Sequence, residues 1–286
     1  MKGMCSMKSE DYIVKTRKDG SCITVKDIQK SLLEMMVDID QLCRKNKISY
    51  VLTGGSALGA VRHQGFIPWD DDLDIAIQRK DFKRFIKVLE EQLPEQYTFH
   101  CYEKNKKYNV TIPPMKIRKK NTYIKEVNTL LANKCSDCDG IFVDVMVLDN
   151  VSKYKILDVP FRIVNGLLML IINGFENLRI NPIPLKSLFI GIAKFYGKIN
   201  RKSGWIGFDL TWTYINPFKG HIFKYEDVFP AIDIKFENTK FMIANNYDSF
   251  LRMDIGEDYM TLPPENKRIA KHTVDINLHG SGPEDE

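Results

Sequence analysis

A chain of 286 residues with 44% hydrophobic and 28% charged side chains is sized for one large domain with a real core, with or without an elaborated insertion. Its net charge of +5 and pI near 8.7 suit contact with a nucleotide phosphate, an anionic glycan or an anionic membrane surface, but no basic stripe marks a nucleic-acid binder. The opening MKGMCSMKSEDYIV lacks the apolar run of a secretory signal, and Cys5, Cys22, Cys43, Cys101, Cys135 and Cys138 lack the framework spacing of a secreted domain, so a reducing cytoplasm is expected.

Residues 1–23 are mixed and polar and read as an N-terminal arm. From Thr24, a plausible N-cap, the series Ile28, Leu32, Met35, Ile39 and Leu42 has helical spacing and predicts a helix to about Asn46. The run Tyr50-Val51-Leu52 predicts a strand entering the turn Gly54-Gly55-Ser56, with a short helix from Ser56 to His63 closed by Gly65. Next, Leu73, Ile75 and Ile77 alternate with Asp72 and Asp74, which places both carboxylates on one face of a strand. Two residues of rise is roughly 6.5 to 7 Å, within reach of one divalent ion or a close pair. A solvated acidic turn would not interleave acids with branched apolar residues in this way.

A helix with Phe82, Phe85, Ile86 and Leu89 on one face follows, started by Asp81 and stopped before Pro94. Strands are expected at 97–102, 115–117 and 141–147, the last reading IFVDVMV with Asp144 inside an apolar run. Burying a lone carboxylate is costly, so Asp144 should open to a cleft or a metal, while Asp149 reads as a turn residue. Residues 151–204 hold two apolar stretches broken by Asp158, Pro160, Arg162 and Asn165 and sprinkled with basic residues. Neither is a clean span of about 20 apolar residues, so both predict helices of an insertion, packed on the domain or dipping into a membrane surface. The remainder predicts short strands over 226–243, a short helix from Tyr247 to Met253 and a flexible tail over 273–286.

Backbone N–H groups and a hydroxyl at a Gly-Gly-Ser turn before a helix can cradle phosphate. Joined to Asp72, Asp74 and Asp144 on neighbouring strands, that turn describes metal-dependent transfer at phosphorus. Two ions roughly 3.5 to 4 Å apart would serve the attacking and leaving oxygens, and no Ser-His-Asp or Cys-His set is needed. Arg62 would contact donor phosphate or form a salt bridge to one of the aspartates. Lys116 and Arg118 would neutralise a diphosphate or line an exposed strand face, and Trp69 would wall the pocket or anchor its loop. Cys135 and Cys138 make half a zinc site at most, and read as loop thiols.

The stretch GGSALGAVRHQGFIPWDDDLDIAI, with KIRKKNT (116–122), GIFVDVMVLD (140–149) and GEDYMTLPPENKRIAKH (256–272), resembles the LicD family, which includes phosphorylcholine transferases and is related to fukutin-type enzymes. The resemblance covers roughly Lys26 to His272, and its first segment is the most specific. It implies an α+β, nucleotidyltransferase-like fold over residues 24–272, a mixed β-sheet flanked by helices with a helical insertion. It also implies transfer of phosphorylcholine or a similar phospho-substituent from a CDP-linked donor such as CDP-choline to a sugar hydroxyl of a surface glycan or its lipid-linked precursor. Asp72 and Asp74 match the paired metal carboxylates and Asp144 the third, with Mg²⁺ or Mn²⁺ as the implied ion. Asp70 falls on an acidic position of the motif, as an additional ligand or as a turn-former. A CDP-choline donor would need aromatic faces around its trimethylammonium group, from Trp205, Trp212 and Tyr214, unless these form a small core. His272 is either a phosphate contact or a surface residue. Two alternatives remain: a ribitol, glycerol or sugar phosphate moved by the same mechanism, and a catalytically silent glycan-binding or membrane-associated assembly protein.

Overall fold

The computed structural model describes residues 12–126, 139–212, 217–218 and 221–283. Its first element is an antiparallel hairpin of β1 (Ile13–Thr16) and β2 (Cys22–Thr24), so the end of the expected arm is ordered. The first helix, α1 (Val25–Lys45), starts where predicted: the Asp27 carboxylate accepts the Thr24 N–H at 2.8 Å, satisfying a donor at the helix entry. After β3 (Tyr50–Leu52) come α2 (Gly54–His63), β4 (Asp74–Gln78), α3 (Arg79–Gln92), β5 (Tyr97–Cys101), β6 (Met115–Lys119), β7 (Tyr123–Glu126) and β8 (Phe142–Asn150). Two long helices follow, α4 (Lys155–Asn177) and α5 (Ile183–Ile199). The rest comprises β9 (Trp205–Phe208), β10 (Ile222–Lys224), α6 (Tyr225–Val228), β11 (Ile232–Phe236), β12 (Thr239–Ile243), α7 (Tyr247–Asp254) and β13 (Thr273–Asn277).

The architecture is α+β, a mixed sheet flanked by helices, organised on the long strand β8. Along one edge β8 pairs with β4 in parallel; along the other, β6 takes its first half and β9 its second, both antiparallel. Outward from these lie β3 beyond β4, β5 beyond β6 and β10 beyond β9. The period-2 alternation of strands separates the two faces. Ile75, Ile77, Val143, Val145 and Val147 face a core shared with α1 and α3. The other face carries Asp74 and Asp144 at one end, then Ala76, Met146 and Leu148, which pack on Phe208, Phe223, Phe229 and Phe250. Polar and apolar chemistry thus occupy successive positions of the same two strands.

Two expectations are corrected here. Residues 273–277 are not loose: β13 pairs antiparallel with β7, and Lys15 reaches across to Asp275 at 2.7 Å. Asp149 is not a turn residue but a buried member of β8. It pairs with Arg79 at 3.2 Å, and Arg79 is also bonded to the buried Asp209.

Candidate active site

Register brings the first acids together. Asp74 on β4 is the direct cross-strand partner of Asp144 on β8, and Asp144 is in turn the partner of Lys116 on β6. Neighbouring strands lie about 4.8 Å apart, so the three side chains stand in a row on one face. Lys116 Nζ lies 2.9 Å from Asp144 Oδ1 and 2.9 Å from Glu126 Oε2. Asp144 Oδ1 is buried and lacks hydrogen-bond alignment even to that lysine, whose bond goes to Oδ2 at 3.2 Å.

Asp70 and Asp72 approach from the segment before β4. A Cβ added at Gly55 would fall 2.3 Å from Asp70 Oδ2, and one added at Gly54 would fall 3.3 Å from Asp74 Oδ2. The glycines at the start of α2 therefore let two carboxylates lie against the helix backbone, and Gly54 also needs the left-handed φ of 55°. Burial, together with the charges of Asp72 and Asp71, pushes Asp70 well above the ordinary carboxylate range. Burial and the charges of Asp72, Asp144 and Asp70 do the same to Asp74. Burial also raises Asp72, against the pull of His272, whose Nε2 is 3.2 Å from Asp72 Oδ2. Asp144 is raised by burial to about 6 in spite of Lys116. Four carboxylates that hinder one another's ionisation have a deficit of positive charge, and hard oxygen donors of this kind suit Mg²⁺ or Mn²⁺.

Asp71, which the sequence reading passed over, has a different task. Its carboxylate accepts the backbone N–H groups of Lys271, His272 and Thr273 at 2.7 to 3.3 Å. One ligand atom each of Asp70, Asp71 and His272 lie within 4.8 Å of one another, but Asp71 is already committed to this clamp. It carries His272 to the acids. Only the tripling of aspartates in WDDDLD hinted at it.

The remaining candidate residues divide. Ser56 is buried, and its Oγ accepts the Asp74 N–H at 2.9 Å, so this hydroxyl fixes the start of β4. The Gly54 N–H donates to Asp254 at 3.1 Å, and that carboxylate also meets the His221 ring at 3.0 Å. Arg62 donates to the carbonyls of Tyr259 and Thr261 at 3.1 and 3.2 Å and forms no salt bridge to an aspartate among the described contacts. Arg118 binds Glu126 at 2.9 Å and the Gly140 carbonyl at 2.8 Å, so it is neither exposed nor aimed at a diphosphate. Lys116 sits at the acids. Burial drives the Glu126 carboxyl up, but Lys116 and Arg118 outweigh it and hold the group below its ordinary range. Glu126 was not visible as a partner because nothing local ties it to the β6 cations.

Beside the acids lies a cleft of about 470 Å³, lined by Gly55, Arg62, Trp69, Asp70, Tyr259 and Lys271 among others. Trp69 both walls it and anchors its loop, with the Arg268 guanidinium 5.5 Å above its ring and Tyr12 against its edge. Of the aromatic residues weighed as a cage or a small core, the two described ones sit in apolar clusters: Trp205 packs with Val151 and Tyr196, and Trp212 packs in the cluster around Phe208 and Phe223. Tyr214, Cys135 and Cys138 lie outside the described residues.

Comparison with known proteins converges on the same stretch. A family model described as LicD/FKTN/FKRP, nucleotidyltransferase domain, matches residues 47–134. The lipopolysaccharide cholinephosphotransferase LicD of Haemophilus influenzae is 40% identical over 81 residues, 28% of this chain and 31% of that protein. Uncharacterised proteins of Rickettsia typhi and Rickettsia prowazekii are 51% and 49% identical over 59 residues, 21% of this chain in each case and 19% and 22% of theirs. The chain thus spans under a third of the length of the curated relatives it matches. Asp144 and His272 fall outside the family match and join the site through the fold.

Proposed function

We propose that this chain, a LicD-family member by its match over residues 47–134, is a metal-dependent phosphotransferase carrying phosphorylcholine from CDP-choline to a sugar hydroxyl of a surface glycan or its lipid-linked precursor. The observation that carries this reading is the convergence of Asp70, Asp72, Asp74 and Asp144 beside a cleft that Arg62, Trp69 and Lys271 line. The protein named for cholinephosphotransfer among its relatives supports the cargo. CDP-ribitol, CDP-glycerol or a sugar phosphate would suit the same acids and cleft, because the mechanism does not depend on the headgroup.

Asp72, Asp74 and Asp144, with Asp70 beside them, would hold Mg²⁺ or Mn²⁺. Such an ion, when bound, neutralises phosphate oxygens and makes a nearby hydroxyl more acidic. The protein's own contribution is positioning. Lys116, held by Glu126, fixes the Asp144 carboxylate; Ser56 fixes Asp74; the Asp71 clamp fixes His272 against Asp72. In the reaction the acceptor oxygen forms a bond to the phosphorus bearing choline, the bond from that phosphorus to the bridging oxygen breaks, and CMP departs. The acceptor proton passes to one of the aspartates, with the half-exposed His272 as its outlet. Arg62 and Lys271 face the cleft where the donor diphosphate would lie. The cytoplasm, where CDP-linked donors are made, is the compartment this reading requires.

Calorimetric titration with CDP-choline, CDP-ribitol and CDP-glycerol, each with and without Mg²⁺, tests the reading. Mg²⁺-dependent binding of CDP-choline alone supports it, and Mg²⁺-dependent binding of another donor moves the cargo. Absence of binding to all three counts for a silent assembly protein.

A further inference from the structure

Helices α4 and α5 bury an unusual number of polar side chains beside Met169, Ile172, Phe189 and Ala193, and carry a further set of apolar side chains on their outer faces. Asp158 pairs with Arg162 at 2.7 Å and accepts from the Tyr196 hydroxyl at 2.8 Å. Asn165 donates to the carbonyls of Phe189 and Leu210, and Lys186 pairs with Glu176 while donating to the Tyr108 carbonyl. All of these are buried. Outward, Ile163, Leu167 and Leu170 follow one another at helical spacing on α4, and Leu188, Phe195 and Ile199 do so on α5, each between 40% and 58% exposed. A soluble surface rarely carries contiguous apolar area on this scale without a partner.

The charges around this face identify the partner. The acids of residues 151–204 are Asp158 and Glu176, both buried and both paired internally. The exposed charges of the segment are all basic: Lys153, Lys155, Arg179 and Lys194, then Lys198, Arg201 and Lys202 at the end of α5 and beyond; of these, Lys194 is paired with Glu103 of a neighbouring loop at 3.2 Å. An apolar strip flanked by an excess of cations matches a bilayer surface with anionic headgroups. A protein partner would be expected to meet acids as well.

We propose that the α4–α5 hairpin lies in the plane of an anionic membrane surface and seats the protein there by its outward apolar strip. Length alone would let α4 cross a bilayer. Crossing by α4 would take Asp158 from Tyr196, Arg162 from the Phe208 carbonyl, Asn165 from the Phe189 and Leu210 carbonyls and Glu176 from Lys186, an unfavourable step in hydrocarbon, so the hairpin stays folded on the domain and only its outer face enters the lipid. This seat does not depend on the phosphotransfer reading. It would also hold the catalytic cleft close to any acceptor that a lipid carries.

Flotation of the full-length protein with vesicles tests the inference, using phosphatidylcholine alone and an equimolar mixture with phosphatidylglycerol. The wild type should float with the anionic vesicles and be largely released by high salt. Leu167→Glu/Leu170→Glu, at side chains more than half exposed, should keep the melting temperature close to that of the wild type and lose binding by at least about tenfold. Lys198→Glu/Lys202→Glu should lower binding to anionic vesicles and leave binding to neutral vesicles unchanged. Failure of the wild type to bind anionic vesicles overturns the proposal, as does unaltered binding by the leucine variant. So does light scattering that shows a dimer which the leucine variant dissociates, since the strip would then face a second copy.

Discussion

The carboxylate cluster and the α4–α5 hairpin both bury charge, and they treat it in opposite ways. In the hairpin each acid has its own base: Asp158 has Arg162 and Glu176 has Lys186. Around β4 and β8, Asp70, Asp72, Asp74 and Asp144 share Lys116 and the His272 ring, and Lys116 is divided again with Glu126. Balanced burial is architecture, because removing either partner leaves an uncompensated charge. Unbalanced burial stores repulsion and becomes favourable only when a cation arrives. The two regions therefore respond oppositely to the same kind of mutation.

The largest contrast comes from neutralising one acid in each. Asp74→Asn should lower transfer by about a thousandfold or more, on the scale of lost electrostatic stabilisation at a reacting centre. The metal-free protein should melt no lower than the wild type, because a repelling charge has gone. Asp158→Ala should cost about 3 to 5 kcal/mol in urea unfolding by stranding Arg162. A destabilised Asp74→Asn with wild-type turnover would erase the distinction.

The pH dependence sharpens it. Asp144 titrates in the folded protein at about 6, above an unfolded carboxylate near 4, so folding favours the protonated form. Its contribution to stability is full below the unfolded value and is lost as pH rises through about 6. Melting temperatures of the metal-free protein should fall between pH 5 and 7.5 relative to Asp144→Asn. Added Mg²⁺ should remove most of that fall. A smaller effect is expected of Ser56→Ala, which deletes the acceptor of the Asp74 N–H: about 1 to 3 kcal/mol of stability, with turnover reduced but not abolished.

Much of this arrangement was legible in the sequence because it is written locally. The alternation from Asp74 to Ile77, the lone Asp144 in an apolar run and the helical spacing of Ile28 to Leu42 each placed their element and its facing, whereas Asp72, expected on the same strand as Asp74, lies in the segment that precedes β4. Lys116 and Arg118 were correctly put on one strand face, but their partner Glu126 lies on a different strand, and no short-range pattern connects them. Asp149 looked like a turn residue for the same reason, since Arg79 sits 70 positions away. The strand at Thr273–Asn277 becomes one only by pairing with β7, far back in the chain. Asp71 shows the limit most sharply. It stands among three consecutive aspartates, yet its carboxylate serves the backbone while its neighbours face the site.

The most direct measurement is calorimetric titration of Mg²⁺ into the wild type and into Asp74→Asn at neutral pH. Saturable binding to the wild type, at least about tenfold weaker in the variant, is the expected result. Equal binding by the two proteins, or none by either, would contradict the claim that these four acids, short of positive charge, form a cation site.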